Sequence, residues 1–402
     1  MSDSIQKAQE VYGRGQQFCE KEDYEEALEC YIEAHKLDST NPLYIHDAGL
    51  MLCNTGHPNK AIEYYEKGLE LVTNKDDIVK FWRSLAKAWI DCGDTGKGIE
   101  YLIKALAILD KYGEQHELVI ESHNDLGFAW RRLSKYRKSI EHFEKAIDLN
   151  IALHGESHAN TASSFHETGR SFYDWGDYTK AVFYNEKALA VRKNIYGDQH
   201  PEVAWSCSAL GLCWWRLSHY QKSIEYHENA LAIDLKTYGE EHPAVAYDWN
   251  DLGLTWKALG EYHKAIEYYE KALASNLKTY GEEHPDVATF WSNLGSAWKA
   301  LGEYHKAIEY YEKALASNLK TYGEEHPDVA CDWNDLGSAW KALGEYHKAI
   351  EYYEKAVHVR HLKLGKNHKK TLSTESLLSE ARNALGKTQK TSFFKKLFRK
   401  KN

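Results

Sequence analysis

Several features that would place this chain among secreted, membrane or disulfide-stabilised proteins are missing from its sequence. Its seven cysteines include no CxxC pair and no even framework, which is typical of reduced thiols in a cytosol. No apolar run approaches the ~18 residues that a membrane-spanning helix needs. The opening segment MSDSIQKAQE lacks the basic and then apolar pattern of a secretory signal. We therefore expect a cytoplasmic protein.

Signatures of catalysis and metal binding are missing as well. The sequence has no glycine-rich phosphate loop, no HExxH and no nucleophile elbow, so we expect no enzyme, no cofactor and no metal. One histidine recurs in each linker, but successive linkers lie a whole repeat apart and their rings cannot share one ion at ~2.0–2.1 Å. These histidines are interpreted as helix-start groups: His116, His158, His200, His242, His284, His326 and His368.

The dominant feature that is present is a repeat of 42 residues. Tyr262–Glu303 and Tyr304–Glu345 differ at four places only, namely Thr289/Cys331, Phe290/Asp332, Ser292/Asn334 and Asn293/Asp335. A small residue marks the same place in successive repeats, at Gly127, Gly169, Gly211, Gly253, Gly295 and Gly337. A period of this size is typical of a solenoid, in which each unit stacks on its neighbours.

Each unit is expected to be a pair of helices. In Ala244–Leu259 the apolar side chains recur at helical spacing, and Gly260 ends the run. Tyr262–Thr279 then supplies the second helix. The earlier markers Gly15 and Gly49 lie 34 residues apart, which indicates shorter units. The predicted organisation is two short units with a linker in 1–78, seven long units in 79–370, a capping helix in 371–386 closed by Gly386, and a basic tail in 387–402.

The recurring residues resemble the tetratricopeptide repeat. The resemblance rests on Trp249, Leu252, Gly253, Trp256, Tyr262, Ala265, Tyr269 and Ala272, and in the first unit on Gly15, Tyr24, Ala27, Tyr31 and Ala34. The linker YGEEHPDVA resembles that of the 42-residue subtype seen in kinesin light chains and nephrocystin-like proteins. The resemblance covers about residues 5–386. It implies an all-α, right-handed superhelical solenoid of about nine antiparallel helix pairs, and a protein-binding scaffold without catalysis.

The resemblance also implies that the first helix of each unit lines a concave groove. In the unit of Gly253 the stripe opposite the packed face is Tyr247, Asn250, Leu254 and Lys257, at steps of three and four. Two of the four differences between the near-identical blocks lie on this stripe, through either ligand tuning or drift at exposed sites. The predicted groove residues are Arg83, Lys87, Asn124, Phe128, Arg131, Arg170, Tyr173, Trp205, Trp215, Arg216, Tyr247, Asn250, Lys257, Lys299, Asn334 and Lys341.

This basic and aromatic row suggests the kind of partner. Aromatic and Arg side chains are enriched at binding hot spots, Arg pairs with carboxylates, and Asn can bond a peptide backbone. We expect a segment with a bulky anchor and flanking acids, which resembles the acidic, tryptophan-centred motifs that kinesin light chains recognise. Alternatively, some of these aromatics belong to the core and the lysines are merely solvated. A carboxylate clamp is less well supported, because the first two units supply no matching Lys–Asn pair.

Charge is unevenly distributed along the chain. Residues 360–402 carry 13 Lys/Arg and two acids, a net +11, so that the rest of the chain holds −20 of the total −9. The tail could bind an anionic membrane surface, dock on a protein or on this chain itself, bind nucleic acid, or remain a disordered solubilising segment. The acidic body disfavours nucleic acid. The tail residues concerned are Phe393, Phe394, Lys395, Lys396, Leu397, Phe398 and Arg399.

Overall fold

A computed structural model of the chain describes residues 3–109 and 117–399, with the side chains of 391–399 left out. Every element within these ranges is a helix, and none is a strand. The expectation of an all-α fold is therefore confirmed. The chain divides into two compact units, residues 1–197 and 198–402, which we call unit 1 and unit 2. The division predicted from the sequence, into short repeats, long repeats, a capping helix and a tail, is a different one and stays a prediction.

Unit 1 consists of helices that pack in consecutive pairs, and each pair packs on the next. They are α1 Asp3–Cys19, α2 Tyr24–Leu37, α3 Pro42–Asn54, α4 Pro58–Leu69, α5 Lys75–Asp91, α6 Thr95–Leu109, α7 Glu117–Arg132, α8 Tyr136–His154, α9 Ala159–Trp175 and α10 Tyr178–Tyr196.

Unit 2 repeats the same pattern and ends in an unpaired helix. Its helices are α11 Pro201–Arg216, α12 Tyr220–Tyr238, α13 Pro243–Ala258, α14 Tyr262–Tyr280, α15 Pro285–Ala300, α16 Tyr304–Tyr322, α17 Pro327–Ala342, α18 Tyr346–Leu364 and α19 Lys369–Arg399.

A glycine packed on an aromatic ring joins the two helices of many pairs. A Cβ atom added to Gly253 would lie 2.5 Å from Cε1 of Tyr269. Gly295 and Tyr311 repeat this contact in the next pair. Because Tyr269 and Tyr311 are completely buried, these rings cannot move aside into solvent. The repeating small residue in the sequence therefore sets how closely the two helices approach.

The recurrent linker histidines cap the odd-numbered helices from α9 to α19, whereas His116 lies outside the described residues. His284 Nδ1 accepts a hydrogen bond from the backbone N–H of Asp286 at 3.3 Å, and its ring stacks on Tyr280 at 4.2 Å. Pro285 then occupies the first helical position, where its missing N–H has no consequence. The same arrangement recurs at His242 and His326.

Odd-numbered helices also contact one another along each unit. The contacts run through α3, α5 and α7 in unit 1 and through α11, α13, α15, α17 and α19 in unit 2. We call the surface that these helices form within each unit the odd-helix face of that unit, and in unit 1 it includes α9, which the Arg131–Glu167 ion pair joins to α7. This face is formed by the first helices of the repeats, which the family resemblance predicts to line a groove.

The last helix differs from the sequence expectation. A capping helix was expected to end at Gly386, but α19 continues through this residue to Arg399. Gly386 has open space around its Cα, and its neighbours Leu385 and Lys387 are good helix formers. An interior glycine costs a helix only about 1 kcal/mol, so it does not have to end one. The side chains of the tail residues from Phe393 to Arg399 lie outside the described residues.

Candidate functional site

All predicted groove residues lie on odd-numbered helices. Unit 1 contributes residues from α5, α7 and α9, which are Arg83, Lys87, Asn124, Phe128, Arg131, Arg170 and Tyr173. Unit 2 contributes residues from α11, α13, α15 and α17, which are Trp205, Trp215, Arg216, Tyr247, Asn250, Lys257, Lys299, Asn334 and Lys341.

Two predicted groove arginines in unit 1 are occupied by internal ion pairs. Arg83 Nε lies 2.6 Å from Asp125 Oδ2, and the same guanidinium pairs with Glu121. Arg131 Nη1 lies 2.8 Å from Glu167 Oε2, and its side chain is only 13% exposed. Burial lowers the pKa of Arg131, although Glu167 opposes the shift. Both arginines therefore tie successive odd helices together.

Other cations of unit 1 remain available to a ligand. Lys87 and Arg170 are exposed, and neither forms a salt bridge with a described residue. Lys87, Lys80 and Arg83 line a cavity of about 210 Å³ together with His46, Ser84 and Asp125. This cavity presents three cations and one carboxylate, and its surroundings favour an anionic group.

Aromatic side chains in unit 1 accompany these cations. Phe128 is 42% exposed, and it packs edge-on against buried Phe143 with the ring centroids 5.2 Å apart. The Arg131 guanidinium lies 5.3 Å from the Phe128 centroid. Tyr173 packs edge-on against Tyr178 at 5.4 Å. Nearby on α7, the buried Oδ1 of Asn124 has no hydrogen-bond partner among the described residues.

The predicted lysines of unit 2 form a ladder between successive odd helices. Lys257 Nζ donates to Ser296 Oγ at 3.2 Å, and Lys299 Nζ donates to Ser338 Oγ at 3.3 Å. Lys341 Nζ lies 2.6 Å from Glu380 on α19. Burial lowers the pKa of Lys257. These lysines are half-buried, and much of their hydrogen bonding is already internal.

The two asparagines of unit 2 are also bonded within the face. Asn250 accepts a hydrogen bond from Asn293 Nδ2 at 2.7 Å, and Asn334 accepts one from Thr374 Oγ1 at 3.0 Å. Asn250 is nearly buried, so it presents little surface to a ligand.

Three predicted aromatics of unit 2 differ in how far they reach solvent. Trp205 and Tyr247 are 46% and 47% exposed. Trp215 is half-buried, and the Arg216 guanidinium lies 5.2 Å from its ring. Its Nε1 has no hydrogen-bond partner in the part of the chain that the structure describes. Tyr247 donates a hydrogen bond from its hydroxyl to Asp286, which holds the ring against the odd-helix face.

Sequence reasoning missed the carboxyls that lie among these basic and aromatic residues. Asp332 is 3% exposed and accepts hydrogen bonds from Asn318 Nδ2 at 2.7 Å and Ser292 Oγ at 3.2 Å. Its burial raises the pKa of its carboxyl to about 7. Asp248 occupies the corresponding place two repeats earlier. The signal was visible in the repeated DWND segment, where an acid precedes the core tryptophan.

Two negative findings concern the described residues alone. Within them, no helix is both long enough and apolar enough to cross a membrane. Across the same ranges, no group of three or more His, Cys, Asp or Glu side chains is arranged to hold a metal ion.

Two repeat-family models match the chain. The tetratricopeptide repeat model matches residues 81–149, 123–194, 184–235, 208–278, 249–317 and 286–360, which overlap to cover 81–360. The Sel1 repeat model matches residues 8–39 and 45–71, where the sequence shows the two shorter units. A search of curated protein sequences gives no significant match.

Solved structures also resemble this chain. A putative kinesin light chain from Podosopora anserina, with nearly identical TPR-like repeats, is 27% identical, covers 51% of this chain and 97% of its own, and gives a TM-score of 0.46. BtubC (BKLC) from P. vanneervenii is 24% identical, covers 63% of this chain and 94% of its own, and gives a TM-score of 0.47. The apo form of RapI is 16% identical, covers 70% of this chain and 97% of its own, and gives a TM-score of 0.56. At this identity the similarity concerns the fold alone.

Proposed function

This chain belongs to the tetratricopeptide repeat family, whose members are generally protein-interaction scaffolds, and from that premise we propose that it binds a segment of a partner protein on its odd-helix face. We further propose that it acts as a cytoplasmic adaptor and has no catalytic activity of its own. The partner segment carries a bulky side chain and acidic residues.

The observation that carries this proposal is the set of exposed groups on unit 1. Phe128 offers an accessible ring, and Arg131 is stacked beside it. Arg170 lies close enough to Arg131 to affect its pKa, yet it has no ionic partner among the described residues. A bulky side chain packed on Phe128 would therefore lie near a cation that can pair with a flanking carboxylate.

The cavity around Lys87 supports a second acidic contact. Lys80, Arg83 and Lys87 face this space of about 210 Å³, and Asp125 is already held by Arg83. A carboxylate entering here would find Lys87 unpaired. Ion pairs at such a partly enclosed site are stronger than those on an open surface.

The test uses a partner identified by crosslinking and mass spectrometry, and then the peptide of that partner that binds the purified full chain. Lys87→Glu with Arg170→Glu should weaken peptide binding by at least about a hundredfold, since losing each charge-assisted contact costs about 1.5–3 kcal/mol. Arg131 is unsuitable, because reversing its charge would disrupt the internal pair with Glu167.

The matched control reverses two exposed lysines on even helices, Lys36→Glu and Lys60→Glu, which change the net charge equally. Fluorescence anisotropy of the labelled peptide gives the affinities, and circular dichroism verifies folding. Equal binding by the groove variant and the wild type would exclude this part of the odd-helix face as the site.

A second candidate function is attachment to an anionic membrane surface through the tail. The observation that favours it is that α19 remains helical to Arg399, since a helix can place apolar and basic residues on separate sides. Vesicles with and without acidic lipid test it by flotation. Salt-sensitive binding that is lost on deleting residues 387–402 supports the candidate, and no binding at low salt rejects it.

A further inference from the structure

A cavity of about 350 Å³ in unit 2 lies among α11, α12 and α13. Three aromatic side chains line it, and Trp205, Tyr238 and Tyr247 are each 44–47% exposed. Glu202 also lines it, and none of its lining residues is a lysine or an arginine. Aromatic faces and negative charge are the two features that attract an organic cation.

Two buried carboxyls complete the wall of this cavity. Asp234 is 8% exposed and Asp248 is 3% exposed. Asp248 Oδ1 accepts a hydrogen bond from Ser208 Oγ at 2.9 Å. Among the described residues no donor reaches Asp248 Oδ2 or Asp234 Oδ1, and the two carboxyls hydrogen-bond to each other through a shared proton. Burying a carboxylate without a partner is costly, so this pair requires either a proton or a cation.

Three equivalent joints elsewhere in the chain match a donor with an acceptor. Two repeats beyond Asp234 and Asp248, Asn318 Nδ2 donates to Asp332 Oδ2 at 2.7 Å. Donors likewise join Asn150 to Ser164 and Arg360 to Thr374. At the Asp234–Asp248 joint both members are acids. The pairing of two acids sets this joint apart from those three, and both acids line the cavity.

We propose that this cavity is a subsite for a cationic side chain, lysine or arginine, of a bound partner segment. The aliphatic stem packs on Trp205 and Tyr247, and the charged head faces the carboxyl pair. The inference rests on the proposed function, since it assumes that the odd-helix face binds protein, and it specifies the chemistry selected by unit 2. This subsite selects a base, whereas the cations of unit 1 select acids.

The protonation of the pair supports a linked pH dependence. Burial, followed by the charge of Asp234, raises the pKa of Asp248 to about 8. Burial also raises the pKa of Asp234. An entering cation replaces the proton held between them, so affinity should increase as pH rises through about 8. The other titratable groups around the cavity are Glu202, Tyr238, His242, Tyr247 and Asp251.

The probes are four acetylated and amidated pentapeptides, GGXGG, in which X is lysine, arginine, norleucine or glutamate. Binding to the full chain is followed by fluorine NMR after labelling with 5-fluorotryptophan, and the Trp205 signal is assigned by its loss in Trp205→Phe. The lysine or arginine peptide should give a saturable shift of that signal. The norleucine and glutamate peptides should give none.

Asp234→Asn is the decisive variant, because it recreates the Asn318–Asp332 pair that the chain already accommodates. It should weaken binding of the cationic peptides about tenfold or more and reduce the increase with pH, of which Asp251 retains a part because burial raises its pKa to about 7. Glu282→Gln in an exposed linker removes the same charge away from the cavity and serves as the control.

Wild-type affinity in Asp234→Asn would overturn the proposal, as would a norleucine peptide that shifts Trp205 as strongly as lysine does. The absence of any shift up to the solubility limit of the peptides would also overturn it. If the partner still depends on Lys87 and Arg170 in that case, only this subsite is lost. If the partner ignores those two residues, the proposed function itself fails.

Discussion

Single glycines in this chain have opposite roles depending on what faces them. A Cβ at Gly253 would meet the buried Tyr269 ring at 2.5 Å, whereas no atom of the described residues lies within 4 Å of one at Gly386. We predict that Gly253→Ala destabilises the protein by about 1–3 kcal/mol, since an overpacked contact must shift. Gly386→Ala should instead be stabilising by up to about 1 kcal/mol. Urea denaturation measures both, and similar shifts of the two midpoints would contradict the packing argument.

Buried carboxyls make the stability of unit 2 depend on pH in an uncommon direction. The pKa of Asp248 is about 8 when folded against an ordinary 3.8. Between these values the folded state keeps a proton that the unfolded state releases, so the free energy of unfolding falls as pH rises from about 4 to 8. Asp234→Asn should flatten this decline and add at least about 1.4 kcal/mol at pH 8, the equivalent of one pKa unit.

Urea unfolding of the wild type and Asp234→Asn across that pH range tests the effect. Parallel profiles would show that the pair does not titrate as described. Glu282→Gln again provides the control, because its exposed carboxyl has little influence on unfolding.

At the scale of the helix, histidine and asparagine perform the same capping role at the start of the odd-numbered helices. The chain already uses asparagine at the same place, since Asn41 accepts from Leu43 N and Asn74 accepts from Asp76 N, both at 3.0 Å. His284→Ala should therefore destabilise the protein by about 1 kcal/mol, and His284→Asn should restore most of this loss. Thermal unfolding of the wild type, His284→Ala and His284→Asn measures these differences. If asparagine and alanine behave alike, the stacking on Tyr280 matters more than the cap.

Helices were predictable from the sequence because local spacing and stop signals specify them, and their pairing follows from the repeat. Gly386 was mistaken for a helix end, because open surroundings leave only a small propensity cost at that position. The candidate site was less accessible to prediction. The cations could be read from spacing, but Arg131 is neutralised by Glu167 on another helix, 36 residues away. Such ion pairs depend on how one repeat packs against the next, which the spacing within a single helix does not specify.

At the scale of the molecule, the near-identical blocks predict that one can be removed. Deleting Tyr304–Glu345 joins Glu303 to Tyr346, and α18 starts with the same YHKAIEYYEKA segment as α16. Gly295 would then face Tyr353 as it faced Tyr311. We expect a folded protein with unchanged helix content per residue. Its melting temperature should be lower, because each repeat is stabilised by its neighbouring repeats.

Circular dichroism and calorimetry measure these quantities. The control deletes Tyr304–Tyr322, which removes α16 alone and breaks the alternation of odd and even helices. That protein should aggregate or lose helix content. If both deletions behave alike, stability does not depend on whole repeats.

The near identity of Tyr262–Glu303 and Tyr304–Glu345 also has a consequence for heredity. Adjacent coding stretches that specify almost the same amino acids can recombine out of step, and each such exchange adds or removes one complete helix pair without shifting the reading frame. Every product keeps the same Glu–Tyr junction between its blocks, so we expect the altered gene to encode a protein that folds. The number of repeats can thus change in a single event, and the extent of the odd-helix face changes with it.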